Sequence, residues 1–295
     1  MSDLSFITAR HLGRHSVVLA VVMAIIAMVS AQASVSYAVN VISDYGAIST
    51  GGLRISWAAL ILLVVARPPI LDYSIRQWRS LFLLGTAMAI MTVAFFLAIA
   101  RLPQHLAVAL EFCGPLLLAA ATARRWVALL WPFLAGGGIV LLVLGDTGSA
   151  AVADGAGIAF ALLAAVGWGG YIVMMKRVGS DFPGLQGLSV ATAVAALLAL
   201  PFSVVEAGTL LFPWRQILLT AGLALLSPLA AYVLEMQSLR RLPAASFGVL
   251  MSLEPAIAAG AGWVLLGQFM EPYQMVGTVL VVVASVGVVR AVQGK

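Results

Sequence analysis

The sequence predicts an all-α polytopic membrane protein with ten transmembrane helices, arranged as two inverted five-helix repeats with the N- and C-termini in the cytoplasm. Three observations predict this fold class. Apolar residues make up 63% of the 295-residue chain, basic residues collect at alternate ends of its apolar stretches, and one sequence phrase recurs half a chain later. Together they indicate a protein that folds in lipid and arose by internal duplication.

The composition requires a bilayer as solvent. The chain carries only 16 Lys and Arg and 11 Asp and Glu, and its mean hydropathy is +1.10. A soluble core cannot use that much apolar surface. Ten apolar stretches each approach the ~20 residues that cross hydrocarbon as a helix. These stretches lie at 17–39, 50–66, 79–100, 103–122, 126–144, 155–175, 184–205, 215–237, 243–266 and 272–291.

Basic residues orient the predicted helices. With the N-terminus in the cytoplasm, 13 Lys and Arg lie at cytoplasmic ends and three lie at the far ends, namely Arg54, Arg101 and Arg215. This distribution follows the positive-inside rule and would disappear if one span were missing. Cleavage of the first stretch as a signal peptide is disfavoured because it would remove a span. Because topology explains the pI of 9.8, the lipid bilayer is an expected partner and nucleic acid is not.

An internal repeat divides the chain into halves at 1–148 and 149–295. Arg101-Leu102-Pro103 recurs as Arg241-Leu242-Pro243, and the later prolines Pro115 and Pro255 have the same offset of 140 residues. Five predicted spans separate the two copies, so the copies enter the membrane from opposite sides. Transporters with such inverted repeats hold their substrate near mid-membrane, between the halves, and expose it alternately to each side.

Prolines and glycines mark candidate hinges in the predicted helices. Pro115 and Pro255 lack an N–H, so each leaves the carbonyl four residues earlier without its helical partner. Because sharp kinks usually trace to proline, this symmetric pair is interpreted as two hinges. Pro228 and Gly114 are further candidates, although a glycine in a membrane helix is equally explained by close packing.

Three glutamates lie inside predicted spans, where a central charge costs ~2.5–3.5 kcal/mol on insertion scales. Glu111 and Glu254 lie near the midplane. Each is a candidate for meeting a substrate ammonium group or a coupling proton. Alternatively, each is protonated and only braces the neighbouring kink. Glu235 is a third candidate, with an interfacial ion pair to Arg240 as the alternative.

A polar stripe on the first predicted helix is a candidate wall of a binding site. Gln32, Ser36 and Asn40 are spaced four apart and therefore share one helical face. On an otherwise apolar helix, such a face should meet protein or water rather than lipid. Gln32 and Ser36 are the candidate substrate-binding residues of this stripe.

Aromatic residues supply a second candidate wall. Trp168 and Tyr171 are three apart on one face of the sixth stretch, and Tyr232 and Phe95 lie at matching depths in the two halves. Aromatic faces in a cavity can hold an ammonium group by cation–π attraction or an apolar side chain by contact. For Phe95, ordinary packing is the simpler explanation.

Several activities lack any sequence support. The chain contains no Walker A, HExxH or GxSxG motif, and its single cysteine, Cys113, has no partner for a disulfide or a metal site. The sequence therefore predicts no enzyme, no cofactor, no metal site and no direct use of ATP.

Three segments carry a resemblance to a known family: AVALEFCGP at 107–115, LEM at 234–236 and FGVLMSLEPA at 247–256. They resemble the bacterial threonine/homoserine exporters of the EamA-type drug/metabolite transporter superfamily. This resemblance extends over essentially the whole chain and implies ten spans in two EamA-like halves of an inner-membrane protein. It matches Glu111, Glu235, Glu254 and Trp168 to family positions. The family's Leu-Gly-Glu at the end of span nine is Leu-Gly-Gln at 266–268 here.

The expected function is export of small or neutral amino acids, such as threonine or homoserine, by alternating access, with broad tolerance and with protons as the candidate coupling ion. The expected substrate site comprises Gln32, Ser36, Glu111, Trp168, Tyr171 and Tyr232. Three alternatives stay open at this point. They are an exporter of aromatic or other amino acids or metabolites, a uniporter driven by the substrate gradient alone, and a membrane scaffold that transports nothing.

Overall fold

A computed structural model of the chain describes residues 3–121, 130–144, 154–207, 213–242, 247, 250–251, 253–267 and 271–293. Within these ranges, all regular structure is helical. The α-helices are α1 (Asp3–Tyr45), α2 (Ala47–Ala66), α3 (Ile75–Ile99), α4 (Gln104–Glu111), α5 (Cys113–Ala121), α6 (Leu130–Leu144), α7 (Gly155–Asp181), α8 (Gln186–Ala207), α9 (Trp214–Ala224), α10 (Ala231–Arg241), α11 (Glu254–Leu266) and α12 (Pro272–Gln293). A 3₁₀ turn at Ile70–Asp72 precedes α3, and a kinked segment at Leu225–Ala230 joins α9 to α10.

Among the described residues, six helical segments are long and apolar enough to cross a membrane. They are Val17–Tyr45, Ala47–Ala66, Ile75–Ile99, Gly155–Asp181, Gln186–Ala207 and Trp214–Arg241. Large apolar side chains such as Val166, Leu197 and Val205 point outward, as a lipid-facing surface requires. An all-α polytopic membrane protein is therefore confirmed. The count of ten spans, the inverted repeat and the cytoplasmic termini stay predictions, and the predicted junction at 148/149 lies outside the described residues.

Helices break next to the predicted hinge prolines. Helix α4 ends at Glu111 and α5 begins at Cys113. Phe112 between them keeps helical backbone angles, φ −64° and ψ −14°, so the interruption three residues before Pro115 is slight. Pro255 is the second residue of α11, which follows a turn at Leu253. Proline is well suited to a first helical turn, where its missing N–H needs no partner. Pro243, which opens the second copy of the repeated phrase, lies outside the described residues.

The break next to Pro228 is of a different kind. Ser227 has an extended backbone conformation, with φ −153° and ψ 131°, inside the long helical segment that runs from α9 to α10. Such an interruption frees backbone groups that hydrocarbon cannot satisfy, so it is stable only where protein or a cavity provides partners. Here the carbonyl of Ser227 accepts hydrogen bonds from a side chain of α2.

Glycine allows α5 to lie directly against α7. A Cβ added at Gly114 would collide with the backbone carbonyl of Ala165. Likewise, a Cβ at Gly167 would come within 2.7 Å of the backbone nitrogen of Met91 and so separate α7 from α3. Close packing therefore accounts for Gly114 in this structure, and its role as a hinge stays a prediction.

Replacing Gly114 with Ala should lower the free energy of unfolding by about 1–3 kcal/mol, the usual cost of overpacking, because a backbone carbonyl cannot rotate away from the new methyl group. Thermal unfolding in detergent would measure the change. Gly137→Ala on α6 is the matched control, since nothing lies within 4 Å of its added Cβ. Equal melting temperatures for the two variants would contradict the packing role of Gly114.

Candidate functional site

A cavity of about 100 Å³ lies among α1, α2, α3, α4, α7, α10 and α11 and the kinked segment at Leu225–Ala230. This is smaller than the roughly 300–1,000 Å³ of sites for drug-sized ligands, so it suits a small molecule. Four ionisable aliphatic side chains line it, from Arg54, Glu111, Glu235 and Glu254. Its aromatic wall consists of Phe95, Phe96, Trp168, Tyr171 and Tyr232.

The three glutamates predicted inside the membrane all reach this cavity. Glu111 comes from the last residue of α4, Glu235 from the middle of α10 and Glu254 from the first residue of α11. Their carboxyl groups therefore share one buried space. Helix breaks position two of the three, because Glu111 and Glu254 sit at helix ends beside Phe112 and Leu253.

Glu235 is held by a tyrosine and not by the interfacial ion pair considered from the sequence. The Tyr171 hydroxyl donates to Glu235 Oε2 at 2.8 Å. Arg240 instead forms a hydrogen bond to the backbone, in which its Nη2 donates to the Gly184 carbonyl at 2.6 Å. Within the described part of the chain no ion pair joins Glu235 to Arg240, so the interfacial alternative is wrong.

Glu254 is anchored through one of its two oxygens. Gln32 Nε2 donates to Glu254 Oε1 at 3.1 Å. The other oxygen, Oε2, is buried and has no hydrogen-bond partner among the described residues. A buried carboxyl oxygen left in this way is free to take a proton or a ligand donor.

The polar stripe of α1 divides between two environments. Ser36 does not line the cavity; its hydroxyl donates to Gln104 Oε1 at 2.8 Å, and Gln104 Nε2 donates to Gln32 Oε1 at 3.0 Å. Ser36 thus orients Gln32 through Gln104, which corrects its assignment as a substrate contact. Asn40 is exposed and lines a separate groove with Asp44, so it does not share the buried environment of Gln32 and Ser36.

Gln104 is a site-supporting residue that sequence reasoning missed. It is buried, and it follows directly after the repeated Arg-Leu-Pro phrase. An uncharged polar residue just inside the start of an apolar helix was the available signal, because hydrocarbon offers it no partner.

The aromatic wall is built from two ring pairs. Trp168 packs edge-to-face on Phe112, with ring centroids 5.5 Å apart, and Tyr171 lies 5.4 Å from Tyr232. Trp168, Tyr171 and Tyr232 all line the cavity. Phe95 lines it too, so packing alone does not account for that residue.

Arg54 is the most consequential residue that the sequence analysis misplaced. The sequence predicts it as one of three basic residues at far helix ends, but it is only 3% exposed and lies in the cavity wall. Without Arg54, the predicted topology has 13 basic residues at cytoplasmic helix ends and two at the far ends. The available signal was its position seven residues inside α2, in a stretch otherwise free of charge.

A buried cavity that combines an arginine with three carboxyls and an aromatic wall can hold a small molecule that carries both charges. Ionisable side chains inside a multi-pass helical protein mark the path of a substrate or ion. Fold and site together therefore define a membrane transporter.

Comparison with known proteins agrees with this class. The EamA-like transporter family matches residues 155–290. The chain is 36% identical over 270 residues to the threonine/homoserine exporter RhtA of Escherichia coli (strain K12), covering 91% of this chain and 90% of that protein. Identity and coverage are the same for threonine/homoserine exporter RhtA of Salmonella typhimurium (strain LT2). The protein described here belongs to the EamA-like transporter family and is a multi-pass protein of the bacterial inner membrane.

A solved structure supports the fold independently. The crystal structure of another protein superposes on this chain with a TM-score of 0.65 at 14% identity, covering 91% of this chain and 95% of that one. At that identity the likeness concerns the fold alone.

Proposed function

We propose that this protein exports small or neutral amino acids, such as threonine and homoserine, across the inner membrane by alternating access. The observation that carries the proposal is the cavity in which Glu111, Glu235, Glu254 and Arg54 converge with aromatic side chains. An amino acid is a zwitterion with a small side chain, so it needs opposite charges and an apolar surface within one small space. The relatives that export threonine and homoserine add support.

In this proposal the carboxyl groups receive the substrate ammonium and the coupling proton. Glu111 takes the leading role because it lies in the cavity at the break between α4 and α5. Glu254 is fixed by Gln32 and keeps one unpaired oxygen, while Glu235 is held by Tyr171. Trp168 and Tyr232 enclose the remainder of the substrate, where aromatic faces also attract an ammonium group.

The ten-span topology with cytoplasmic termini and two inverted halves, 1–148 and 149–295, supplies the movement. The turn residues Phe112 and Leu253 precede Pro115 and Pro255 by three and two residues, and in this proposal they act as the paired hinges of the two halves. The break beside Pro228 opens on the same cavity. Bending at these points would turn the cavity from one side of the membrane to the other, since discontinuous helices flank the sites of such transporters.

Transport into liposomes tests the proposal. The purified protein should carry labelled threonine into vesicles, and an acidic lumen should accelerate uptake, because each threonine that enters is exchanged for a proton that leaves the lumen. Unlabelled homoserine should compete well and tryptophan poorly. Flux that ignores the pH gradient would make the protein a uniporter, and absence of amino-acid flux would contradict the substrate class.

A further inference from the structure

Arg54 is a buried cation whose described partners are all neutral. Its Nε and Nη2 donate to the Ser227 carbonyl at 3.2 and 2.7 Å, and Nη2 also donates to the Ser34 hydroxyl at 2.8 Å. The guanidinium carbon lies 4.8 Å from the centre of the Phe96 ring. Among the described residues no carboxylate forms an ion pair with it. A charge held inside a membrane protein without a counter-charge indicates a site for an anionic ligand.

We propose that Arg54 binds the carboxylate of the substrate, and that its bond to the Ser227 carbonyl is a latch that the carboxylate releases. This inference rests on the proposed function, because it assumes a substrate that carries a carboxylate. It assigns the two ends of the zwitterion separately, with the ammonium at the glutamates and the carboxylate at Arg54.

The chemistry of the guanidinium favours this exchange. Its planar fork matches a carboxylate with two parallel hydrogen bonds. Such charge-assisted bonds are roughly twice as strong as those between neutral groups. A carboxylate entering the cavity therefore competes effectively with a single carbonyl oxygen for the same donors.

The position of Ser227 gives the exchange a mechanical consequence. Ser227 is the extended residue of the break between α9 and α10, directly before Pro228. Arg54 ties this break to α2, and Ser34 extends the connection to α1 by donating to the Leu223 carbonyl at 2.9 Å. When a carboxylate binds the guanidinium, the Ser227 carbonyl loses both hydrogen bonds that it accepts from Arg54. The break is then held to its neighbours by fewer contacts and can change its angle.

Ligand binding to the protein in lipid nanodiscs tests the carboxylate site. The probes are threonine, threonine amide and 1-amino-2-propanol, of which the last two keep the ammonium and hydroxyl groups but lack the carboxylate. Threonine should bind wild-type protein about 10-fold or more tightly than either analogue, as expected for hydrogen bonds to charged groups. Arg54→Gln should remove this preference and Arg54→Lys should weaken it, because an ammonium keeps the charge but not the fork. Arg101→Gln is the control, since Arg101 lies outside the cavity and pairs with Asp154.

Hydrogen–deuterium exchange tests the latch. Threonine should accelerate exchange of backbone amides at 223–231 in the wild-type protein, whereas threonine amide should not. Ser34→Ala keeps the guanidinium but removes one neighbouring tie, so it should raise exchange in this segment without ligand and retain the preference for threonine. This variant provides a test even if Arg54→Gln does not fold.

The possible outcomes distinguish failure of this inference from failure of the proposed function. Equal binding of threonine and its amide to a protein that transports threonine would overturn the role of Arg54 and leave the proposed function intact. Unchanged exchange at 223–231 on threonine binding would overturn the latch. Absence of binding by threonine, homoserine and methionine would overturn the proposed function and this inference together.

Discussion

Replacing Glu111 with Gln should abolish the dependence of threonine transport on the pH gradient and lower gradient-driven flux about 10-fold or more, the scale of a lost interaction with a charged group. Glutamine has nearly the same size and still accepts a hydrogen bond, but it cannot exchange a proton at neutral pH. Glu111 is 9% exposed, and its side chain reaches the cavity at a helix break. Uptake of labelled threonine into vesicles with and without an acidic lumen would measure the effect.

The matched control is Glu271→Gln, which removes a carboxylate from the exposed start of α12. It should leave both flux and pH dependence unchanged. Full pH dependence in Glu111→Gln would exclude Glu111 as the proton carrier. The same test on Glu254→Gln would then decide whether Glu254, which lines the same cavity as Glu111, carries the proton or only braces its kink. A uniporter would lose affinity in these variants without any change in pH response.

Trp168→Ala should shift selectivity from threonine toward bulkier amino acids by about 10-fold or more, since hydrophobic pockets commonly discriminate by 10–200-fold per methylene-sized difference. Trp168 is 7% exposed, lines the cavity and packs on Phe112, so its loss enlarges a cavity of only about 100 Å³. Competition of methionine and phenylalanine with labelled threonine would report the change.

Truncation of a buried tryptophan also costs roughly 3–5 kcal/mol of stability, so Trp168→Phe should accompany it as a milder variant with a smaller shift in the same direction. Trp78→Ala at the more exposed start of α3 is the control and should not change selectivity. If wild-type protein prefers tryptophan, and Trp168→Ala destroys that transport without admitting new substrates, the protein is an aromatic amino-acid exporter instead.

The membrane class was predictable because hydrocarbon imposes a strict local rule. Each spanning segment must satisfy its own backbone, so it must be a helix of about 20 apolar residues. The same rule makes every internal polar residue conspicuous. Glu111, Glu235, Glu254 and Gln32 stand out in the sequence for that reason, and the structure places all four at one cavity.

What the sequence could not supply is the partner of each polar group. Ser36 shares a helical face with Gln32, yet it contacts Gln104 and not the cavity. Glu235 precedes Arg240 by five residues, yet it binds Tyr171 from another helix. Partners of this kind come from elements far apart in the chain, so spacing along one helix carries no information about them.

The sequence by itself determined that this protein spans a membrane, which family it belongs to, and which acids and aromatic residues are candidates for its site. Only the tertiary structure decided that Arg54 belongs to the cavity and meets the carbonyl of Ser227 at a broken helix. An arginine near the predicted end of a span has the same local sequence whether it faces the headgroups or the interior. Helix α2 packs against α3 and against the break between α9 and α10. This packing between helices that are distant in the chain rotates α2 so that Arg54 faces the interior.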